Sequence, residues 1–284
     1  MQVIQAVAVM REQVAEWHIA GERVVLVPTM GNLHEGHLAL VTHAKSLADR
    51  VVVSIYVNPT QFGVNEDFGA YPRTLKRDCE QLLEAGADLV FTPDESAMYP
   101  LGVHNATHIH VPGISSKLDG KHRPGHFDGV ATVVCRLFAM VNADVAVFGQ
   151  KDYQQVQVIR QMVRDLSLTV AVTQAPTVRA DDGLALSSRN QYLSDEQRLV
   201  APTLYAQLSQ IAELLLDGAR NYKSMRLEAL AALEEAGFLP DYVAIRHPGT
   251  LKKSHADDDS WVVLGAATLG RARLIDNVLV RAGD

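Results

Sequence analysis

Apolar positions along this chain follow two regimes. Up to about residue 176, short β-branched runs alternate with stretches of helical periodicity. The runs at 24–27 and 51–57 read as strands, and in the second, Val or Ile fills five of the seven positions. Further strands are expected at 88–91, 144–148 and 168–174, with helices at 36–49, 74–85, 127–140 and 152–166. Strands alternating with helices imply right-handed crossovers and a mainly parallel sheet. In such sheets, ligands bind outside the carboxyl ends of the strands.

Beyond residue 176 the order changes. Two amphipathic helices are expected at 195–216 and 223–236, separated by Gly218 and Asn221. Three strand-like runs follow at 241–246, 261–268 and 271–276, with the acidic run Asp257, Asp258, Asp259 in a solvated loop between the first two. The expected fold is therefore α/β. A Rossmann-like, mainly parallel sheet domain covers 1–177. A smaller C-terminal α+β lid domain, helices plus a short antiparallel sheet, covers 178–284. The link between them carries residues 179–190, whose residue types are too distinctive for a mere connector.

Composition narrows the class. A chain of 284 residues that is 48% hydrophobic can bury a sizeable core. No uninterrupted apolar run approaches the ~20 residues of a membrane span, and the first residues show no secretory pattern. The two cysteines, Cys79 and Cys135, make neither a disulfide framework nor a thiolate zinc site, so a reduced, cytoplasmic protein is expected. A net charge of −7 argues against a nucleic-acid partner, which would require a basic face. It leaves room for a local phosphate pocket.

Four segments carry candidate chemistry. The first, Met30-Gly31-Asn32-Leu33-His34-Glu35-Gly36-His37, leaves a strand and opens a helix, where free N–H groups and the helix dipole favour an anion. His34 and His37 are spaced to share a helical face, and two imidazoles there can stabilise charge developing on a phosphorus. Polar residues beside a tight turn would account for an isolated pair equally well, and a zinc site lacks its further ligands. The second, Gly149-Gln150-Lys151-Asp152 with Gln155, lies at another strand-to-helix junction and places a Lys point charge near phosphates, though a capped helix start would look alike. The third, Leu186-Ser187-Ser188-Arg189, offers two hydroxyls and a guanidinium for phosphate oxygens. The fourth, Asn58-Pro59-Thr60-Gln61-Phe62 at the end of the strongest strand, suits uncharged hydrogen bonding to a small polar substrate, or an ordinary turn.

The H-x-G-H arrangement after the first strand, followed by the Ser-Ser-Arg loop, resembles the nucleotidyl-transferase superfamily. Taken with the segments RPGHFDGVATVV at 123–134, FGQKDYQQ, LALSSRNQYLS and RARLIDN at 271–277, the chain resembles the pantothenate synthetase (pantoate–β-alanine ligase) family over most of its length. Asn32 stands where that family more often has Ala, and Ile245-Arg246-His247 departs from its frequent acidic residue.

The resemblance implies ATP-dependent joining of pantoate to β-alanine through a pantoyl adenylate, with ATP as substrate, Mg²⁺ on its phosphates, and a homodimeric assembly. It implies that His34, His37 and Lys151 are catalytic. It places ATP against Met30 through His37, Gly149, Gln150, Lys151, Asp152, Val178, Leu186, Ser187, Ser188 and Arg189. It gives pantoate to Gln61 and Gln155, with Asn58 and His126 as weaker candidates. It assigns no protein ligand to a metal.

Overall fold

A computed structural model describes residues 1–63, 66 and 68–283. Contacts divide them into two compact units, Met1–Gly149 with Val158–Pro176, and Gln150–Gln157 with Thr177–Asp284.

The first unit is a six-stranded parallel sheet. Its elements are β1 (Gln2–Ile4), α1 (Val7–Ile19), β2 (Val24–Thr29), α2 (Glu35–Lys45), β3 (Arg50–Ile55), α3 (Leu75–Ala85), β4 (Leu89–Phe91), the short α4 (Glu95–Met98) and α5 (Asp119–His122), α6 (His126–Val141), β5 (Val145–Gly149), α7 (Tyr153–Asp165) and β6 (Ala171–Ala175). The last residues of α7, not its first turn, belong to this unit. The strand order is β1-β4-β3-β2-β5-β6, and every pairing is parallel. The chain thus builds outward from β2 in one direction and then from β5 in the other. The direction reverses between β2 and β5, so the turn leaving β2 sits at that switch, where an open parallel sheet leaves its ligand crevice.

Both faces of the sheet are covered, which is why its strands read as unbroken apolar runs rather than alternating ones. Val25, Val27, Val51, Val53, Val90, Val145 and Val147 pack with Val41 and Ala44 of α2 and Leu82 of α3. The stretch before residue 24, to which the apolar pattern assigned no element, forms β1 and α1. Helix α1 buries only Met10 and Val14 and leaves Val9 and Ile19 exposed, so its apolar residues do not gather into a legible stripe.

The second unit is a three-stranded antiparallel sheet, β7 (Leu239–Arg246), β8 (Ser260–Leu269) and β9 (Ala272–Arg281), in that order. It is covered by α9 (Thr203–Leu216) and α10 (Tyr222–Glu235), preceded by the short α8 (Asp195–Val200). Trp261, Phe238, Leu208 and Leu233 lie at the centre of this core. Strand β9 runs to Arg281, well past the expected end at 276.

The stretch Asp195–Leu216, expected as one helix, is two, because Pro202 has no N–H to continue the first. Those 22 residues have the length and mean apolarity of a possible membrane span, but Asp195, Glu196, Arg198 and Glu213 interrupt them, so they are not the uninterrupted apolar run that the sequence reading found absent. The break at Pro202 and the burial of Leu204, Leu208, Ile211 and Leu215 make its second half a core helix of this unit.

Residues Gln150–Gln157, placed by the sequence reading with the first domain, group with the second. The cause is visible in the hydrogen bonds that β9 makes to them, described below.

Candidate active site

The turn after β2 is set by a residue three segments away. Asp78, in the first turn of α3, is 1% exposed. Its carboxyl oxygens accept the N–H groups of Asn32 (3.0 Å) and Leu33 (2.9 Å) and the Thr74 hydroxyl (3.0 Å). Thr29 completes the turn: its Oγ1 accepts from the Gly31 N–H and donates to the Ser54 carbonyl. Gly31 has φ +77°, and a Cβ there would lie 3.0 Å from both Asp78 Oδ2 and Ile55 Cγ2. Glycine is therefore required twice over, by conformation and by space. Asn32 is also left-handed, at φ 51°. Asn adopts that region more readily than Ala, a physical reason for Asn at this position.

This turn delivers His34 as the N-cap of α2. His34 Nδ1 accepts the Gly36 N–H at 3.1 Å, and His37 Nδ1 accepts the His34 N–H at a longer 3.4 Å. The two imidazoles thus form a capping box of the kind usually made by Ser or Thr with Glu. Their ring centroids are 4.1 Å apart. Because each Nδ1 accepts a backbone hydrogen, the ring proton sits on Nε2, and each neutral ring is a donor at that edge. Both residues are half-buried at the carboxyl end of the sheet.

The turn after β3 carries Gln61. Its Nε2 donates to Met30 Sδ (3.2 Å), and its Oε1 accepts from Asn58 Nδ2 (3.1 Å). Asn58 itself is 1% exposed and fully engaged. Its Nδ2 also donates to the Gly129 carbonyl, and its Oδ1 accepts from Tyr99 Oη (2.6 Å) and Thr60 Oγ1 (3.0 Å). Asn58, a substrate-binding candidate, thus stands behind Gln61 and orients it.

His126, the other weaker candidate, also reaches the Gln61 turn. Its Nδ1 lies 2.8 Å from the Gln61 carbonyl, and its Nε2 accepts from Arg123 Nη1 at 3.0 Å. Arg123 in turn makes a bidentate pair with Glu66, both contacts 2.6 Å. Burial pushes the Glu66 carboxyl up, but Arg123 outweighs it and holds the group below the usual range. Burial first, then the Arg123 charge, pushes the His126 imidazole down to about 4. A neutral ring is what this geometry needs, one nitrogen donating and the other accepting.

Helix α6 can lie against the Gln61 turn only because residue 129 is glycine. A Cβ at Gly129 would fall 2.2 Å from the Thr60 carbonyl oxygen. The segment RPGHFDG therefore serves Gln61: Arg123, His126 and Gly129 all act on its backbone.

The second unit gathers the other candidates. Gln150, Lys151 and Asp152 form a single 3₁₀ turn, and Gln155 is half-buried in the first turn of α7. Val178 and Leu186 are joined by a backbone hydrogen bond of 3.0 Å, the base of a small hairpin. Ser187 caps the 3₁₀ turn Ser188–Tyr192 by accepting the Arg189 N–H at 3.3 Å. Lys151, Ser187 and Asn190 line one small cavity, floored by Asp276 and Ile275 of β9, so two separately read phosphate-binding segments meet here. Gly149 is the last residue of β5 in the first unit.

Sequence reasoning missed Asp78. Its signal was present: an Asp four residues before Leu82 lies on the buried face of an otherwise amphipathic helix, and a carboxyl group there must be accepting hydrogen bonds.

Comparison with known proteins follows the same lines. The Pantoate-beta-alanine ligase family profile matches residues 2–279. The pantothenate synthetase of Pseudomonas aeruginosa is 53% identical over 280 residues, covering 99% of each chain. The crystal structure of the Thermus thermophilus enzyme superposes with a TM-score of 0.89 at 48% identity, over 98% of this chain and 99% of that one. The Francisella tularensis pantoate-beta-alanine ligase, in complex with beta-gamma ATP and beta-alanine, gives a TM-score of 0.82 at 33% identity over 98% and 97% of the chains.

The His126 geometry predicts a pH response. The folded pKa of about 4 lies below the ordinary 6.5, so between those values the unfolded chain binds a proton that the folded one does not. Stability from this group is fully present above pH 6.5 and lost as pH falls to about 4, on the order of 3 kcal/mol in all. NMR titration of the His126 ring should show a midpoint near 4; a midpoint near 6.5 would contradict the buried, neutral assignment.

Proposed function

Because the chain belongs to the pantoate–β-alanine ligase family, and so condenses pantoate with β-alanine at the expense of ATP, we propose that it activates pantoate as an acyl adenylate at the His34 and His37 pair. The observation that carries this reading is the double imidazole cap. Two Nε2–H donors, tied down through Nδ1, stand at the N-terminus of α2 on the ligand side of a parallel sheet.

A carboxylate is a poor electrophile toward an amine. In the first half-reaction a pantoate carboxylate oxygen attacks the α-phosphorus. The bond from that phosphorus to the bridging oxygen of the β-phosphate breaks, and pyrophosphate leaves. Negative charge grows on the non-bridging α-oxygens in the transition state. Donors already fixed in place stabilise it without reorganising, which is the main advantage an enzyme has over water here. In the second half-reaction the amine of β-alanine attacks the acyl carbon. The bond to AMP breaks and the amine gives up a proton.

The remaining roles follow from donor chemistry and from the resemblance. Met30 through Gly36 line the nucleotide, and Gly149, Gln150, Asp152, Val178 and Leu186 contact the adenosine. Lys151, Ser187, Ser188 and Arg189 hold phosphate oxygens. Gln61 and Gln155 take the hydroxyls and carboxylate of pantoate, because neutral amides bind those groups without drawing in ATP phosphates. Asn58, His126, Arg123 and Gly129 hold Gln61 in position.

Mg²⁺ fits this donor set only as a passenger of the nucleotide. Among the described residues there is no cluster of three or more His, Cys, Asp or Glu side chains that could hold a metal ion, and the side chains proposed for the phosphates are imidazole, ammonium, hydroxyl and guanidinium. A Mg²⁺ held by phosphate oxygens and its own waters would supply charge neutralisation there. We propose a homodimer in a reducing cytoplasm; the family resemblance supports the first, and the free thiols of Cys79 and Cys135 suit the second.

Substituting His37→Ala should lower pantoate-dependent exchange of labelled pyrophosphate into ATP by ~10²–10³ while circular dichroism stays native. Near-normal exchange in a folded variant would remove the imidazole from the reaction. Substituting Gln61→Ala should raise the KM for pantoate far more than that for ATP. Equal changes in both would show that the amide does not bind the acid.

A further inference from the structure

The segment RARLIDN ends in two residues that touch none of the expected substrates in the reading above, yet both are buried. Asp276 is 5% and Asn277 is 2% exposed, although they are adjacent on β9. Consecutive strand residues point to opposite faces. Here each of the two side chains grips a different segment of the proposed ATP site.

Asn277 Nδ2 donates to two successive carbonyls, Gln150 O at 2.9 Å and Lys151 O at 3.0 Å. Its Oδ1 accepts from Gln150 Nε2 at 3.4 Å. Both amide hydrogens are thus committed to the backbone that carries Lys151. Asp276 takes the Arg179 guanidinium end-on, with Nη1 to Oδ2 at 2.5 Å and Nη2 to Oδ1 at 2.8 Å. Arg179 lies in the hairpin between Val178 and Leu186, which it braces by donating to the Gly183 carbonyl at 3.1 Å. The guanidinium stacks over the Tyr205 ring with its central carbon 3.6 Å from the ring centroid. The two grips are themselves joined, since Asp276 Oδ1 also accepts the Asn277 N–H at 2.7 Å. A bidentate, stacked Arg and a doubly donating Asn leave little angular freedom at either end.

We infer that Asp276 and Asn277 form a positioning pair that sets the register between the Lys151 turn and the hairpin leading to Ser187, Ser188 and Arg189. They touch no reacting atom themselves. Lys151 and Ser187 arrive by separate chain segments and share one cavity over β9, so their spacing is fixed by whatever holds both to that strand. A phosphate chain of defined length reads that spacing; of the two amides proposed for pantoate, Gln61 lies in the first unit and Gln155 in the first turn of α7, neither of them in the hairpin that Asp276 holds. The pair therefore acts on ATP affinity and on adenylate formation more than on pantoate recognition. This inference rests on the assignment of Lys151 and Ser187 to ATP phosphates.

The test is a KM split. In pantoate-dependent pyrophosphate exchange, Asn277→Ala should raise the KM for ATP at least about tenfold, and by a larger factor than the KM for pantoate. Arg179→Lys keeps the charge opposite Asp276 but loses the fork, and should shift the ATP KM in the same direction. It provides the measurement if Asn277→Ala fails to fold by circular dichroism. Lys151→Ala serves as the control on the underlying assignment. If Lys151→Ala leaves ATP kinetics unchanged, the phosphate reading itself falls. If Lys151→Ala impairs ATP use while both folded Asn277→Ala and Arg179→Lys retain the parent ATP KM, or shift both KM values alike, the positioning pair is refuted.

Discussion

The carboxyl group of Asp78 holds the first strand-to-helix turn, and the chemistry of the first unit depends on that turn. The N–H groups of Asn32 and Leu33 point away from any helix or strand partner, and at a buried position each would cost about 1–3 kcal/mol if left without an acceptor. Asp78 accepts both, and in doing so sets the turn at Gly31 that aims His34 into the N-cap of α2. The histidines then complete the circuit by capping the helix with their Nδ1 atoms. One set of hydrogen bonds gives the turn its shape, the helix its start and the imidazoles their tautomer. Donors that are already fixed need not be ordered during the reaction, which is where an enzyme built on positioning and charge neutralisation gains its rate.

The same arrangement recurs at the other segments. Gln61 is held from behind by Asn58 and along its backbone by His126 and Arg123, and the close approach of α6 depends on Gly129. Lys151 and the hairpin before Ser187 are held by neighbouring residues of β9. In each case the candidate side chain is flexible or polar, and a buried polar group with a full set of partners removes that freedom. Such networks are stabilising only when complete, because a half-satisfied buried amide or carboxyl group costs more than an apolar one.

How much of this was legible in the sequence depended on the range of the interaction. Valine-rich strands and the order of strands and helices identified the parallel sheet, because burial on both faces leaves a local record. The H-x-G-H turn and the Ser-Ser-Arg loop were legible as candidate chemistry for the same reason. Helix α1 was not, since it buries only Met10 and Val14 along one side. The break at Pro202 was written in the sequence but masked by apolar periodicity running through it. What holds the site was least legible. Asp78 bonds to residues 45 and 46 positions away, and Asn277 bonds to residues 126 and 127 positions away, separations that no local pattern reports. Polar residues near a strand's end look alike in sequence whether they face a substrate or support the residue beside them, so the bonds that tie Asn58 and His126 to Gln61 were not legible there.

The central claim is that the acid attacks the α-phosphorus, and isotopic oxygen tests it directly. Pantoate carrying heavy oxygen in its carboxylate, turned over with ATP, Mg²⁺ and β-alanine, should transfer one labelled oxygen to AMP and leave pyrophosphate unlabelled. The sequence has no G-x-x-x-x-G-K loop followed by Ser or Thr, the kind that commonly cradles a transferred γ-phosphate, in keeping with that outcome. Release of ADP, or of AMP without the label, would contradict the account even if pantothenate were formed.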